Sequence, residues 1–88
     1  MKTFFRKSFT RDLKKIKDQR IRNRVRQAIE DIESATAPEG ISNLKKLTGT
    51  EDSYRIRVAD FRIGVVIEED VVEFVRCLPR RDLYRFFP

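Results

Sequence analysis

The sequence predicts an α+β fold in which an N-terminal strand and a two-helix hairpin pack on an antiparallel β-meander. Two observations carry that expectation. Apolar residues recur at the helical interval through the first third of the chain and alternate in steps of two after Tyr54. The segment between these regimes holds Pro38 and Gly40, and the later strands are separated by two-residue breaks, which join antiparallel neighbours.

Element by element, Thr3 to Ser8, with Phe4 and Phe5 adjacent and Phe9 following, predicts a short first strand. Ser8 or Thr10 is positioned to cap a helix beginning near Arg11, with Leu13 and Ile16 on its inward face. The second helix has the clearest signature: Ile21, Val25, Ala28, Ile29 and Ile32 line one side. Its arginines (Arg20, Arg22, Arg24, Arg26) come early and its acids (Glu30, Asp31, Glu33) late, an order that opposes the helix dipole. A partner that needs the basic turns accounts for that order, as does tertiary packing that overrides so small a preference.

Thr36 to Ser42 reads as the loop that ends the helical half. Tyr54, Ile56 and Val58 then alternate with Arg55 and Arg57, so the apolar residues share one face and the two guanidinium groups the other. Ala59-Asp60 makes a tight turn into Phe61, Ile63, Val65 and Ile67, and Glu69-Asp70 makes the next turn. Val71 to Leu78 supplies the last strand, with Val72, Phe74 and Arg76 expected on one face. Helices on one side of this meander complete the sandwich.

Composition narrows the function. At 88 residues the chain is expected to form a single domain over residues 1–88. Cys77 stands alone, so no internal disulfide is possible, and a cytoplasmic location is expected. No stretch has the makings of a signal peptide or a membrane span. The net charge is +6, unevenly placed: residues 1–26 hold eleven basic and two acidic side chains, whereas residues 27–52 hold two basic and six acidic. Residues 74–88 are basic again. A fold that joins the two ends would present a field attractive to a polyanion; scattered lysine and arginine would merely keep the surface soluble.

With no histidine, imidazole catalysis is excluded, and a lone cysteine cannot build a zinc site. Gly40, Gly49 and Gly64 are too scattered for a phosphate loop. Glu68-Glu69-Asp70 has the composition of an exposed turn rather than a cation site, so neither metal nor cofactor is expected. What remains is arginine with tyrosine. If the Ala59-Asp60 turn sets the register, Arg62 joins Arg55 and Arg57 on one sheet face, where three cations repel unless an anion lies among them. An alternating strand also places polar residues on a solvated face without any such purpose.

The runs Leu47-Thr48-Gly49, Tyr54-Arg55-Ile56-Arg57-Val58, Asp60-Phe61-Arg62-Ile63 and Arg80-Arg81-Asp82-Leu83-Tyr84-Arg85 together resemble the RelE/ParE toxin superfamily. The opening Ser8-Phe9-Thr10-Arg11-Asp12-Leu13-Lys14-Lys15-Ile16 is similar too. The resemblance implies a RelE-like, microbial ribonuclease-type fold and the toxin of a type II toxin–antitoxin system. It implies a metal-independent, ribosome-dependent messenger RNA endonuclease that works by attack of the ribose 2′-hydroxyl on the adjacent phosphate. Arg55, Arg57, Arg62 and Arg80 would face the phosphate, with Tyr84 as the aromatic catalytic or stacking residue. Lys14, Lys15, Lys17, Arg20, Arg22, Arg24, Arg26, Arg81 and Arg85 are expected to contact RNA or the ribosome. The implied partners are the ribosome, messenger RNA and an acidic, RelB-like antitoxin, received on the helices around Leu13, Ile16 and Ile21 and beside the sheet near Phe61, Leu83, Phe86 and Phe87.

Two departures stand out. RelE itself has lysines where this chain has Arg55 and Arg57, and arginine is too basic to act as a general base. Where many relatives read Gly-His before the arginine, this chain reads Leu78-Pro79. Competing readings are a ParE-like inhibitor of DNA gyrase on the same fold and a non-catalytic basic RNA-binding module.

Overall fold

A computed structural model describes residues 1–88. Strand β1 (Lys2–Phe5) leads into helices α1 (Lys7–Lys14) and α2 (Gln19–Ser34), and after a 3-10 turn at Pro38–Gly40 come β2 (Leu44–Lys46), β3 (Ser53–Val58), β4 (Phe61–Glu68) and β5 (Val71–Pro79). A final helix, α3 (Arg80–Phe86), follows β5 directly. The five strands form one sheet in the order β1-β5-β4-β3-β2, antiparallel except that β1 runs parallel to β5. The expected α+β meander is therefore present, extended by a parallel strand on one edge and a short strand on the other.

Helix α2 forms where the apolar periodicity places it. Asp18 caps it by accepting the Arg20 N–H at 2.9 Å, and that bond holds the carboxyl below its ordinary value. An acid just before the first turn partly offsets the arginines that follow. Helix α1 starts earlier than the capping residues imply. Arg6 occupies its N-cap position without a side-chain bond, while the Ser8 hydroxyl donates to the Val75 carbonyl and the Thr10 hydroxyl to the Lys7 carbonyl. The predicted caps are thus spent on the sheet and on the helix's own first turn, and β1 is correspondingly shorter than Thr3 to Ser8.

The main core lies between the sheet and helices α1 and α2. Phe9, Val25 and Ile32 meet Ile56, Ile63, Val65, Val72 and Phe74 there. Phe74 stacks against Phe5 and tilts against Phe9, with centroids 5.0 and 5.2 Å away. A second, smaller core lies on the opposite sheet face, where α3 sets Leu83 and Phe87 against Leu47 and Val75. The place beside the sheet expected to receive an antitoxin is therefore filled in part by the chain's own tail, and Leu83 and Phe87 are buried rather than available to a partner. Phe86 remains exposed.

An irregularity in β5 reassigns Arg76. Gly64 pairs with Arg76 but its neighbour Val65 pairs with Phe74, so Val75 is an extra residue in a β-bulge. Arg76 consequently leaves the face of Val72 and Phe74 and lies over the Phe86 ring of α3, 5.3 Å from its centroid. Pairing with β1 has ended by this point. Asp12 of α1 takes over the open edge: its carboxylate, 4% exposed, accepts the Cys77 N–H at 2.9 Å and the Arg76 guanidinium at 2.8 and 3.2 Å.

Candidate functional site

The β3–β4 register brings the sheet arginines together. Arg57 pairs directly with Arg62, and Arg55 stands opposite Gly64 on the same face. The Ala59-Asp60 turn permits this close pairing because Ala59 adopts the left-handed conformation, φ 52°. Arg62 is only 8% exposed, and its guanidinium donates to the carbonyls of Ala59 and Phe61, both at 2.9 Å. No carboxylate neutralises it, since the ion pairs of the chain lie elsewhere, at Arg6–Glu73, Arg20–Asp18 and Arg76–Asp12. Burial, then the charges of Arg55, Arg80 and Arg57, hold its proton affinity below the ordinary arginine value, while Tyr84 acts in the opposite sense. This is a preorganised cation fixed by backbone carbonyls, and its charge is relieved by any anion that enters.

Arg80, the first residue of α3, reaches the same place because its N–H donates to the Asp60 carbonyl at 2.8 Å. Arg57, Arg62 and Arg80 line an open cavity of about 370 Å³ together with Arg24, Asn43 and Asp60. Arg55 is drawn to the sheet edge, where it donates to the Asn43 carbonyl at 3.1 Å. Tyr84 is exposed on α3, on the turn between the buried Leu83 and Phe87 that fasten this helix to the sheet. It borders a second cleft with Lys45 and Thr48, and its link to the arginines is its influence on the charge of Arg62. Together these groups offer fixed cations for a phosphate and a phenol beside them.

The remaining expected contacts divide. Lys14, Lys15, Lys17, Arg20 and Arg26 are exposed along the helical side, and Arg81 and Arg85 along α3. Arg85 sits over the Phe86 ring, 5.8 Å from its centroid. Arg22 donates to the carbonyls of Leu13 at 2.7 Å and Ile16 at 3.3 Å, closing the turn between the first two helices. Arg24 belongs with the arginine cavity rather than with the helical surface, because α2 lies alongside the β3 edge. Lys45 was not singled out from the sequence; its register partner is Arg55, which places it on the arginine face of the sheet. The only signal for it was adjacency to Leu47-Thr48-Gly49, since β2 is too short to show alternation.

No three His, Cys, Asp or Glu side chains converge in a way that would hold a metal ion. No helix is long and apolar enough to cross a membrane.

Residues 4–84 match the family model of the ParE toxin of type II toxin–antitoxin systems, parDE. The chain is 36% identical to Toxin RelE3 of Methanocaldococcus jannaschii over the whole length of both proteins. Its fold is similar to a RelB–RelE antitoxin–toxin complex from Methanococcus jannaschii, with a TM-score of 0.81 at 34% identity, covering 97% of this chain and 99% of the other. An archaeal RelE–RelB complex from Pyrococcus horikoshii gives a TM-score of 0.72 at 22% identity, covering 90% and 93%, and at that identity the likeness concerns the fold alone.

Proposed function

Because the chain belongs to the RelE/ParE family of toxins of type II toxin–antitoxin systems, we propose that residues 1–88 act as a single toxin domain, a cytoplasmic endoribonuclease that cleaves messenger RNA on the ribosome. In the proposed reaction the ribose 2′-oxygen attacks the adjacent phosphorus, the bond to the 5′-oxygen breaks, and a cyclic 2′,3′-phosphate is left. The 2′-hydroxyl gives up its proton, and the departing 5′-oxygen takes one. The substrate supplies the nucleophile, so the protein's part is to orient it and to stabilise charge developing on the phosphorane. Arg62 is the fixed centre of that stabilisation, with Arg57 and Arg80 beside it and Arg55 at the edge. Tyr84 is the group assigned to proton transfer, since arginine cannot serve as a base.

The observation that carries this reading is the buried, carboxylate-free Arg62 ringed by Arg55, Arg57 and Arg80 with Tyr84 nearby. A solvated sheet face would leave such a residue hydrated or pair it with an acid. Lys14, Lys15, Lys17, Arg20 and Arg26, with Arg81 and Arg85, form the docking charge for ribosomal RNA.

The neutralising partner is an acidic, RelB-like antitoxin, by analogy with the complex that the M. jannaschii relative forms. Of the expected anchors, Ile16, Leu83 and Phe87 are buried and Leu13, Ile21 and Phe61 are half-buried against the main core, so the most exposed apolar anchors for it are Phe4, Phe5 and Phe86, each roughly half exposed. The match to a ParE model favours one second reading, inhibition of DNA gyrase.

Mapping the 5′ ends of a message translated by purified ribosomes separates the readings. New ends that need both the protein and ribosomes support the ribonuclease; intact message with lost supercoiling activity supports the gyrase reading. Intact message with retained RNA binding leaves a basic binding module.

A further inference from the structure

A recess of about 170 Å³ adjoins the arginine cavity on the side of α2. The two share Arg24, Asn43 and Arg57 in their walls and so form one continuous depression. Their chemistry differs. The arginine cavity is almost wholly polar, whereas the recess has an apolar floor of Ala28, Ile41 and Ile56. Its rim carries the amide of Gln27 and the carboxylate of Asp31, which are hydrogen-bonded to each other at 2.9 Å, and the amide of Asn43. Asn43 adopts the left-handed conformation, φ 64°, and its carbonyl is taken by the Arg57 N–H and the Arg55 guanidinium, so only its side chain is left to address the depression.

We propose that this recess is a nucleobase subsite, taking the base of the nucleotide whose phosphate the arginine cavity holds. This rests on the reading of the chain as a ribonuclease. A base requires an apolar surface for its ring, donors and acceptors at its edge, and a cation for the phosphate attached through its sugar, and these requirements are met here in one continuous depression. The volume is well below the ~300–1,000 Å³ of pockets that take drug-sized ligands, and suits one planar ring system. Arg24 and Arg57 stand at the junction, where a guanidinium plane stacks on a base while its N–H groups reach a phosphate. Gln27, Asp31 and Asn43 read the edge, so they set the base preference at the position beside the cut. Arg24, which makes no ion pair within the chain, is accordingly a substrate-binding residue.

The test is a titration of the ¹⁵N-labelled full chain with each of the four nucleoside 3′-monophosphates and, separately, with inorganic phosphate. Phosphate is expected to shift the amides around Arg57, Arg62 and Arg80 alone. The nucleotides are expected to shift Gln27, Ala28 and Asn43 as well, with an affinity that depends on the base. Ala28→Leu, which fills the floor, should weaken nucleotide binding about tenfold while phosphate binding stays unchanged, a difference of about 1.4 kcal/mol. Gln27→Ala, on the exposed rim, should alter the order of preference among bases without disturbing the fold. The proposal is overturned if nucleotides reproduce the phosphate pattern, with no shift at Gln27, Ala28 or Asn43 and no dependence on the base. Failure of the ribonuclease reading is recognised separately, by intact message in the ribosome assay, and leaves these titrations to decide the subsite.

Discussion

Phe87 packs directly against Gly64, so closely that a β-carbon at position 64 would lie 2.6 Å from its ring. The glycine is required by this approach and not by its backbone conformation. Through the contact α3 is seated on the sheet, and with it Tyr84 beside the arginines. Gly64→Ala forces the ring away. We expect a stability loss of about 1–3 kcal/mol in denaturant titrations, the usual scale for overpacking, together with reduced activity. Phe87→Leu in the same chain should recover part of that loss; strictly additive losses would show that the two residues are not coupled.

Asp12 substitutes for a strand that β5 lacks, and removing it strands the Cys77 N–H and the Arg76 guanidinium together. Asp12→Ala is expected to cost about 3 kcal/mol, in the range for breaking a buried charged hydrogen-bond network. Arg76 also lies over Phe86, so α3 should loosen at the same time, read as faster amide exchange at Leu83 and Tyr84. A stability change below about 0.5 kcal/mol, the range of ordinary surface substitutions, would count against this role.

Burial, and then the charge of Asp12, push the Cys77 thiol up to about 12. A native thiol so placed stays protonated and inert, so an alkylating reagent at pH 8 should modify it only at the rate of unfolding and promptly in denaturant. The sign of the pH dependence follows. The folded state retains its proton where the unfolded state, near pH 9, begins to lose it. This contribution to stability is therefore complete below pH 9 and is lost as the pH rises toward 12. Rapid alkylation of the folded chain would contradict the burial.

The helical cations are not equivalent. Reversing Lys14, Lys15, Lys17, Arg20 and Arg26 to Glu should weaken ribosome association and flatten its salt dependence, with the cleavage position unchanged. Arg22→Ala should instead lower stability by about 1 kcal/mol, the scale of a hydrogen bond lost at the α1–α2 turn, and leave the salt slope nearly as it was. An unaltered slope in the reversed variant would return those side chains to ordinary surface charge.

Much of this architecture is legible in the sequence where periodicity is long enough to be read. Helix α2 shows several turns of apolar spacing, and the alternation on either side of Ala59-Asp60 fixes the register that sets Arg57 against Arg62. Short or tertiary features left no such trace. Three residues of β2 cannot alternate visibly. The tail after Pro79 reads as a charged extension because only Leu83 and Phe87 of its apolar residues turn inward. The bulge at Val75 moves Arg76 to the other face with no change in composition. The parallel pairing of β1 with β5 and the approach of Arg24 to the arginine cavity are long-range consequences of topology. In each case, sequence spacing describes one element, whereas the position depends on which second element lies beside it.

In the proposed reaction Arg62 and Tyr84 act on one scissile phosphate. The most direct measurement is the single-turnover rate of cleavage of ribosome-bound message by the wild-type chain, Arg62→Ala and Tyr84→Phe, with ribosome binding measured in parallel. We predict that Arg62→Ala slows cleavage by about two to three orders of magnitude, the scale for losing a preorganised transition-state donor, and that Tyr84→Phe slows it by about two, the scale for losing an acid–base group, with binding retained in both. Wild-type cleavage rates in both variants, or no cleavage by the wild-type chain on any translated message, would contradict it.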